Sequence, residues 1–127
     1  MSLTTTGIDH VNLQVNNLDV SKKFWKSLLG FELLEDIPEQ KGVIIGNLKA
    51  KLALYENASL GRPEKRGFSH LCFHISDFHQ AVSLCNDLST SILYDGIVEW
   101  PQSKSLYIED PNGYEIELTD TWGGALT

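Results

Sequence analysis

Three residues of metal-ligating type, His10, His70 and Glu117, stand out in this 127-residue sequence. The two histidines occupy equivalent places in similar segments that begin at Gly7 and Gly67, a constant offset of 60 residues. Imidazole and carboxylate donors together suit Zn, Ni, Fe or Mn, and three protein ligands leave positions open for water and substrate. Any one of the three alone would be interpreted as an exposed strand residue or a solvated charge. Their repeated placement predicts a site for one divalent metal ion, whose identity stays open.

The repeat extends beyond the histidines. Residues 7–15 align with residues 67–75, and the matched pairs include Gly7 and Gly67, His10 and His70, and Val15 and Ile75. Two copies at so long an offset indicate one supersecondary unit duplicated within a domain, not a solenoid. We expect a single domain over residues 1–127, made of module one at about 7–56, a linker at 57–66 and module two at about 67–120.

Hydrophobic periodicity divides module one into a strand, a helix and three further strands. Alternation of apolar and polar residues predicts a strand over 8–15. A helix is expected from Asn17 or Asp19, either of which suits the N-cap, through about Leu29, with Gly30 as its C-cap. Three short strands are then predicted near 31–35, 42–46 and 50–55.

Module two repeats this order. A strand is predicted over 68–75 and a helix over about 77–88, followed by strands near 92–98, 104–109 and 114–119. The sequence Asp110-Pro111-Asn112-Gly113 is typical of a turn between the last two strands. The expected fold class is therefore α+β, with two βαβββ modules that form curved mixed sheets around a polar cup.

Strand alternation places the candidate ligands on the polar faces of these sheets. His10 shares its predicted face with Asn12 and Gln14. The polar faces of module two carry His70, Cys72 and His74; Ser105, Tyr107 and Glu109; Glu115, Glu117 and Thr119. His74 lies four residues from His70, ~13 Å along a strand, so we do not expect it to reach the same metal ion. Glu109 and Glu115 have the right parity for a catalytic base, but strand-end carboxylates are often simply solvated.

Composition excludes several classes of partner. Hydrophobic residues make up 42% and charged residues 21%, which is ordinary globular composition. The net charge of −7 disfavours nucleic acid, because phosphate binding needs a concentrated basic surface. No apolar run approaches the length of a membrane span, and the N-terminus lacks the features of a signal peptide. Two cysteines without CxxC spacing predict a reducing, cytoplasmic location.

Four segments carry a resemblance to a known family. They are Gly7-Ile8-Asp9-His10-Val11, Phe24-Trp25-Lys26-Ser27-Leu28-Leu29-Gly30-Phe31, Phe68-Ser69-His70-Leu71-Cys72-Phe73 and Asp110-Pro111-Asn112-Gly113-Tyr114-Glu115-Ile116-Glu117-Leu118. On these segments the chain resembles the vicinal oxygen chelate superfamily, which includes glyoxalase I, fosfomycin-modifying enzymes, extradiol dioxygenases, methylmalonyl-CoA epimerase and bleomycin-binding proteins. The resemblance covers nearly the whole chain.

The resemblance implies a site, an activity and a partner. His10, His70 and Glu117 occupy three metal-ligand positions of the family, and we expect Glu117 to belong to the catalytic machinery. The superfamily uses its metal as a Lewis acid that chelates neighbouring oxygens of a small substrate. Many members are homodimers whose sites combine modules from both subunits. We therefore expect a homodimeric, glyoxalase-like metalloenzyme acting on a small oxygen-rich substrate, with lyase or isomerase chemistry.

One family ligand is missing from the sequence. Glyoxalase I and the epimerase have a fourth ligand whose aligned place here is Ala53, which cannot coordinate a metal. Glu56 lies three residues further on and has the opposite strand parity unless a bulge intervenes. The site thus resembles the three-ligand sites of two other groups, so a fosfomycin-type thiol transferase and an extradiol-type dioxygenase stay open as alternatives.

This sequence resembles the fosfomycin-modifying enzymes at some of their substrate-binding positions and differs at others. Ser105 and Tyr107 align with positions which that group uses around the bound phosphonate. The arginine of its C-terminal tail is replaced by Leu126, and its loop lysine is missing at the aligned place, although Lys104 lies nearby. A dianionic phosphonate without those cations would be held poorly.

Six residues are candidates for the substrate pocket. Trp100 precedes Pro101 and is expected on a loop. The full set is Asn12, Tyr55, Cys72, Trp100, Ser105 and Tyr107. A protein of another class, which captures a ligand without a metal as bleomycin-binding members do, is the remaining alternative. The intact set of three metal ligands favours the enzyme.

Overall fold

The computed structural model describes residues 1–125 and divides them into two compact units. The first unit spans Met1–Leu60, and the second begins at Gly61. Each unit contains one βαβββ module, so the predicted α+β class and the duplication are confirmed. Leu126, the aligned place of the tail arginine, lies outside the described residues. Within residues 1–125, no helix combines the length and the apolar character needed to cross a membrane.

The first unit is a four-stranded sheet with one helix. Its elements are β1 (Val11–Val15), α1 (Leu18–Leu29), β2 (Glu32–Ile37), a 3-10 turn (Pro38–Gln40), β3 (Gly42–Gly46) and β4 (Lys51–Glu56). The strands lie in the order β1-β4-β3-β2, with β1 parallel to β4 and the other pairs antiparallel. The strand predicted over 8–15 is shorter than expected, and His10 directly precedes it.

Helix α1 begins and ends where its cap residues require. The side chain of Asn17 accepts a hydrogen bond from the backbone N–H of Val20 at 3.0 Å, which identifies Asn17 and not Asp19 as the N-cap. Gly30 ends the helix in the left-handed region, with φ of 71°, where glycine has no steric penalty. Trp25 is fully buried on the face of α1 that packs toward the sheet, whereas Val20 is exposed.

The second unit repeats the arrangement. Its elements are β5 (His70–His74), a 3-10 turn (Phe78–Gln80), α2 (Ala81–Asp87), β6 (Val98–Trp100), β7 (Ser103–Glu109), β8 (Glu115–Thr119) and a 3-10 turn (Gly123–Ala125). The strand order is β5-β8-β7-β6, with β5 parallel to β8. The predicted turn between β7 and β8 is confirmed, because Asp110 accepts hydrogen bonds from the backbone N–H groups of Asn112 and Tyr114.

The strand predicted near 92–98 is wrong. Tyr94, Asp95 and Gly96 all have positive φ values, 55°, 62° and 107°, which no regular strand accommodates. Ile92 keeps only an isolated bridge to Ile108, and the pairing strand β6 starts at Val98. Trp100, expected on a loop, is therefore the last residue of β6. The predicted helix over 77–88 also begins later, as α2, after a 3-10 turn.

The predicted separation of apolar and polar faces is observed in the second sheet. In β7 and β8 the fully buried residues Leu106, Ile108, Ile116 and Leu118 fall on one face. Paired residues on adjacent strands share a face, so Tyr107 lies opposite Glu117 and Ser105 lies opposite Thr119 on the other. The second sheet therefore presents one continuous polar face.

Candidate metal centre

His70 and Glu117 come together on the polar face of the second sheet. Strands β5 and β8 are parallel neighbours in which His70 pairs with Glu115 and Cys72 pairs with Glu117. This register places Nε2 of His70 at 3.0 Å from Oε1 of Glu117. The predicted common face for these two residues is thus observed.

The second oxygen of Glu117 is held by a chain of hydrogen bonds. The Ser105 hydroxyl donates to Oε2 of Glu117 at 2.6 Å. The indole N–H of Trp100 donates in turn to the Ser105 oxygen at 3.2 Å. Because each oxygen of Glu117 has its own partner, the carboxylate is fixed in rotation. Trp100 and Ser105, both predicted as pocket residues, therefore support the candidate ligand directly.

Tyr107 and Cys72 flank Glu117 on the same face. The ring of Tyr107 meets the ring of His70 edge to face, with centroids 5.8 Å apart. Burial, together with the Glu117 charge, raises the pKa of the Tyr107 hydroxyl. Partial burial is also the largest cause that raises the pKa of the Cys72 thiol to about 12, and the Glu117 carboxylate adds to it. Both groups are therefore protonated at neutral pH, which agrees with Cys72 as a lining residue and not a nucleophile.

His10 belongs to the first unit, directly before β1. Its Nδ1 lies 2.8 Å from Oδ2 of Asp9, and the other oxygen of Asp9 accepts a hydrogen bond from Lys51 at 2.9 Å. The hydrogen bond with His10, and then that with Lys51, lower the pKa of Asp9. The imidazole therefore has a fixed partner on one ring nitrogen.

The donor types fit a divalent ion, because imidazole nitrogen and carboxylate oxygen are both common metal ligands. Nε2 of His70 and Oε1 of Glu117 make a direct hydrogen bond of 3.0 Å, so these two candidate donors are adjacent. Within residues 1–125, no group of three His, Cys, Asp or Glu side chains gathers as a complete metal site. The predicted set draws on both units, with His10 in the first and the other two residues in the second.

Sequence comparison decides the family. The model of the Glyoxalase/Bleomycin resistance protein/Dioxygenase superfamily matches residues 7–118, most of the chain. This chain is a member of that superfamily.

Several superfamily members have informative names. The chain is 32% identical over 114 residues to the metallothiol transferase FosB of Staphylococcus saprophyticus, covering 87% of this chain and 74% of that protein. It is 31% identical over 125 residues to the virulence protein STM3117 of Salmonella typhimurium, covering 88% of this chain and 82% of that protein. The fold matches the fosfomycin resistance protein FosX of Listeria monocytogenes with a TM-score of 0.79 and 17% identity. The match covers 94% of this chain and 97% of that protein.

Strand pairing identifies the position in the first sheet that is equivalent to Glu117. Asn12 pairs with Ala53 in the first sheet as Cys72 pairs with Glu117 in the second. Ala53 thus holds the position equivalent to Glu117 and is buried. Glu56 does not replace it, because the regular β1–β4 register has no bulge there, and its carboxylate accepts a hydrogen bond from the backbone N–H of Leu18 at 2.9 Å.

The remaining pocket candidates of the first unit lie on the Asn12 face of its sheet. Tyr55 pairs with Gln14 in β1 and with Gly42 in β3, and it lies two residues beyond Ala53 on the same face of β4. The ring of Tyr55 covers Gly42 so closely that a Cβ there would lie 2.5 Å from it. Asn12 and Tyr55 therefore share one face, as their strand parity requires.

A charged cluster beside His70 was missed by the sequence analysis. Lys65 and Tyr94 both hydrogen bond to the buried Glu115, and Arg62 bonds to Glu109. Burial by itself would raise the pKa of Glu115, but the hydrogen bonds from Lys65 and Tyr94 outweigh it, and the pKa is lowered. The lowered pKa makes Glu115 a weaker base, and the Glu109 carboxylate is engaged by Arg62. The signal was present: Glu109 and Glu115 are cross-strand neighbours of like charge, and such a pair needs counterions.

His74 lies away from this cluster, at the far end of β5. Its ring stacks on Trp122, with centroids 4.0 Å apart and the planes 4° from parallel. The stack gives His74 a packing partner at that end of the strand.

Proposed function

We propose that this chain is a divalent-metal-dependent enzyme that joins a thiol to a small oxygen-rich electrophile. The arrangement around Glu117, in a chain 32% identical to a metallothiol transferase, carries the proposal. On the sequence alone, lyase or isomerase chemistry is the first expectation and a thiol transferase is an alternative. The names of the relatives favour that alternative.

His10, His70 and Glu117 would hold the metal ion. When bound, a divalent ion acts as a Lewis acid that draws electron density from a substrate oxygen and stabilises negative charge there. The donor types suit Zn, Ni, Mn or Fe, and the 3.0 Å separation of His70 Nε2 and Glu117 Oε1 supports two of the three assignments. The 60-residue repeat and the superfamily resemblance support His10.

The surrounding side chains would orient the ligand and the substrate. Ser105 and Trp100 restrict rotation of the Glu117 carboxylate, which keeps Oε1 directed toward His70. The Tyr107 hydroxyl, protonated at neutral pH because its pKa is raised, can donate a hydrogen bond to a substrate oxygen. The Cys72 thiol stays neutral for the same reason, so the reacting thiol is supplied by a cosubstrate.

The charge around the site suits a substrate with less negative charge than a phosphonate dianion. Four lysines and arginines lie between Gly61 and Ala125. Three of them are paired with glutamates: Arg62 with Glu109, Lys65 with Glu115, and Arg66 with Glu64. The fourth, Lys104, alternates with Ser105 along β7 and so belongs to the opposite face. We therefore expect a neutral or singly charged electrophile.

Product analysis by mass spectrometry tests this function. Protein loaded with Zn, Ni or Mn is incubated with glutathione or cysteine and one of three electrophiles: an uncharged epoxide, fosfomycin, or methylglyoxal, which forms a hemithioacetal with the thiol without enzyme. We expect a thiol adduct, formed faster with the uncharged epoxide than with fosfomycin and absent with Glu117→Ala protein. Isomerisation of the hemithioacetal without adduct formation would restore the lyase interpretation.

A further inference from the structure

The residue before each candidate histidine contacts the ring nitrogen Nδ1. Oδ2 of Asp9 lies 2.8 Å from Nδ1 of His10, and Oγ of Ser69 lies 3.0 Å from Nδ1 of His70. Asp9 and Ser69 are related by the same 60-residue offset as the histidines. The contact is thus repeated in both modules, but with a carboxylate at hydrogen-bond distance in one and a hydroxyl in the other. The Glu115 carboxylate also faces Nδ1 of His70, but its nearest oxygen lies 3.7 Å away, beyond hydrogen-bond distance.

The Asp9 carboxylate restricts the neutral His10 ring to one tautomer. Asp9 is itself held, because its second oxygen accepts a hydrogen bond from Lys51 at 2.9 Å. An ionised carboxylate can only accept hydrogen bonds, so the hydrogen between the two groups must reside on Nδ1 of His10. In the neutral ring, Nε2 then carries the lone pair that a metal ion requires.

The Ser69 hydroxyl is compatible with either neutral tautomer of the His70 ring. Nε2 of His70 faces Oε1 of Glu117 at 3.0 Å, and a carboxylate in that place accepts a hydrogen from Nε2. The Ser69 hydroxyl can then donate to Nδ1. When Nε2 gives up its hydrogen, Nδ1–H can donate to the same hydroxyl, because a serine oxygen both donates and accepts.

We propose that Asp9 and Ser69 are positioning residues: Asp9 holds His10 in the Nδ1–H form, and Ser69 allows His70 to change form when a metal binds. This inference rests on the proposed metal-binding function. Partners of this kind commonly contribute 10–100-fold to metal affinity, because they set the ring orientation and the basicity of the ligating nitrogen. Asp9 contributes to preorganisation of the site, whereas Ser69 serves both the metal-free and the metal-bound state.

Nitrogen-15 NMR of the histidine rings, together with zinc titration calorimetry, tests the proposal. In metal-free wild-type protein we expect the Nδ1–H form for His10 and the Nε2–H form for His70. Asp9→Ala should leave His10 in a mixture of forms and lower zinc affinity at least about tenfold. Asp9→Asn should show a smaller loss, since its amide oxygen still accepts. Ser69→Ala should lower zinc affinity by a smaller factor.

Asp19→Asn is the matched control. Asp19 is also exposed, in the same unit, and paired with a lysine, Lys22 at 3.4 Å, but it contacts no histidine. We expect wild-type ring forms and wild-type zinc affinity in this variant. Failure of the wild-type protein to bind zinc would contradict the proposed function. Wild-type zinc affinity in Asp9→Ala, or an unchanged His10 ring form there, would contradict the positioning role.

Discussion

His70 and Glu117 lie on adjacent parallel strands with Nε2 of the histidine 3.0 Å from Oε1 of the glutamate. The second carboxylate oxygen is occupied by Ser105, so the pair is held from two sides. Two candidate metal donors are therefore adjacent on one face of the second sheet.

Removal of any proposed ligand should abolish stoichiometric metal binding. Two remaining ligands cannot complete a site of comparable geometry, so His10→Ala, His70→Ala and Glu117→Ala should each lose binding of Zn, Ni and Mn in calorimetry. Their circular dichroism should match that of the wild type, because none of the three residues belongs to the buried core. The control is His74→Ala, whose ring stacks on Trp122 and which should retain the metal. Unchanged affinity in Glu117→Ala would show that the ligand set is wrong.

Ser105→Ala should weaken metal binding without abolishing it. The substitution removes the hydrogen bond that fixes Oε2 of Glu117, and the loss of such a partner typically costs 10–100-fold in affinity. Tyr107→Phe keeps the aromatic contact with His70 but removes a hydroxyl that also interacts with Glu117 and Ser105, so it should weaken zinc binding by a smaller factor. Competition with a chromogenic chelator measures both constants. Equal zinc affinities for the two variants would contradict the role of Ser105 in fixing the Glu117 carboxylate.

Cys72 should react slowly with iodoacetamide near pH 8. Partial burial and the Glu117 charge raise the pKa of its thiol to about 12, so little thiolate is present. Glu117→Gln removes the charge and should increase the alkylation rate severalfold. Peptide mass spectrometry follows Cys72 and the buried Cys85 separately, and Cys85 should be protected in both proteins. A decrease in the Cys72 rate on Glu117→Gln would contradict this electrostatic explanation.

Lys65→Gln should destabilise the protein at neutral pH. The substitution leaves the buried Glu115 carboxylate without its cation. We expect the free energy of unfolding to fall by about 1 kcal/mol, less than for a buried charged hydrogen bond because half of the Lys65 side chain is exposed. Arg66→Gln removes the same charge from an exposed pair and should change stability little. Urea unfolding measures both variants.

The effect of Lys65→Gln should disappear in acid. The pKa of Glu115 in the folded protein is lowered, so its ion pair stabilises the fold above the ordinary pKa of 4.5 and is lost as pH falls through the folded value. Wild-type and variant stabilities should therefore differ at pH 7 and converge well below pH 4.5. A difference that persists in strong acid would point to packing of the lysine stem, not to its charge.

The chain should form a homodimer in solution. Each sheet has two edge strands, β1 and β2 in the first and β5 and β6 in the second, and association is a common way to cover such edges. Sedimentation equilibrium should give twice the chain mass of 14.2 kDa at micromolar concentration. A monomer at high micromolar concentration would contradict the prediction.

The sequence by itself determined which side chains share a face of one strand. Side chains alternate along every strand, so Glu115 and Glu117 must point the same way wherever β8 lies. The same local rules placed Gly30 at the end of α1 and the turn at Asp110, because both depend on backbone conformations within a few residues. The 60-residue repeat predicted the duplicated module for a similar reason, since equal patterns fold into equal units.

Only the tertiary structure decided which strands are neighbours and in what register. His70 lies beside Glu117 because β5 pairs with β8 across 47 residues of sequence, and no local pattern encodes that offset. The pairing of Lys65 with Glu115 is equally non-local, since an exposed lysine can reach many carboxylates until the chain is folded. The positive φ values at Tyr94 and Asp95, which displaced β6, also overrode local strand preference. Periodicity records the side on which each residue lies, whereas contacts between distant segments depend on the packing of the whole sheet.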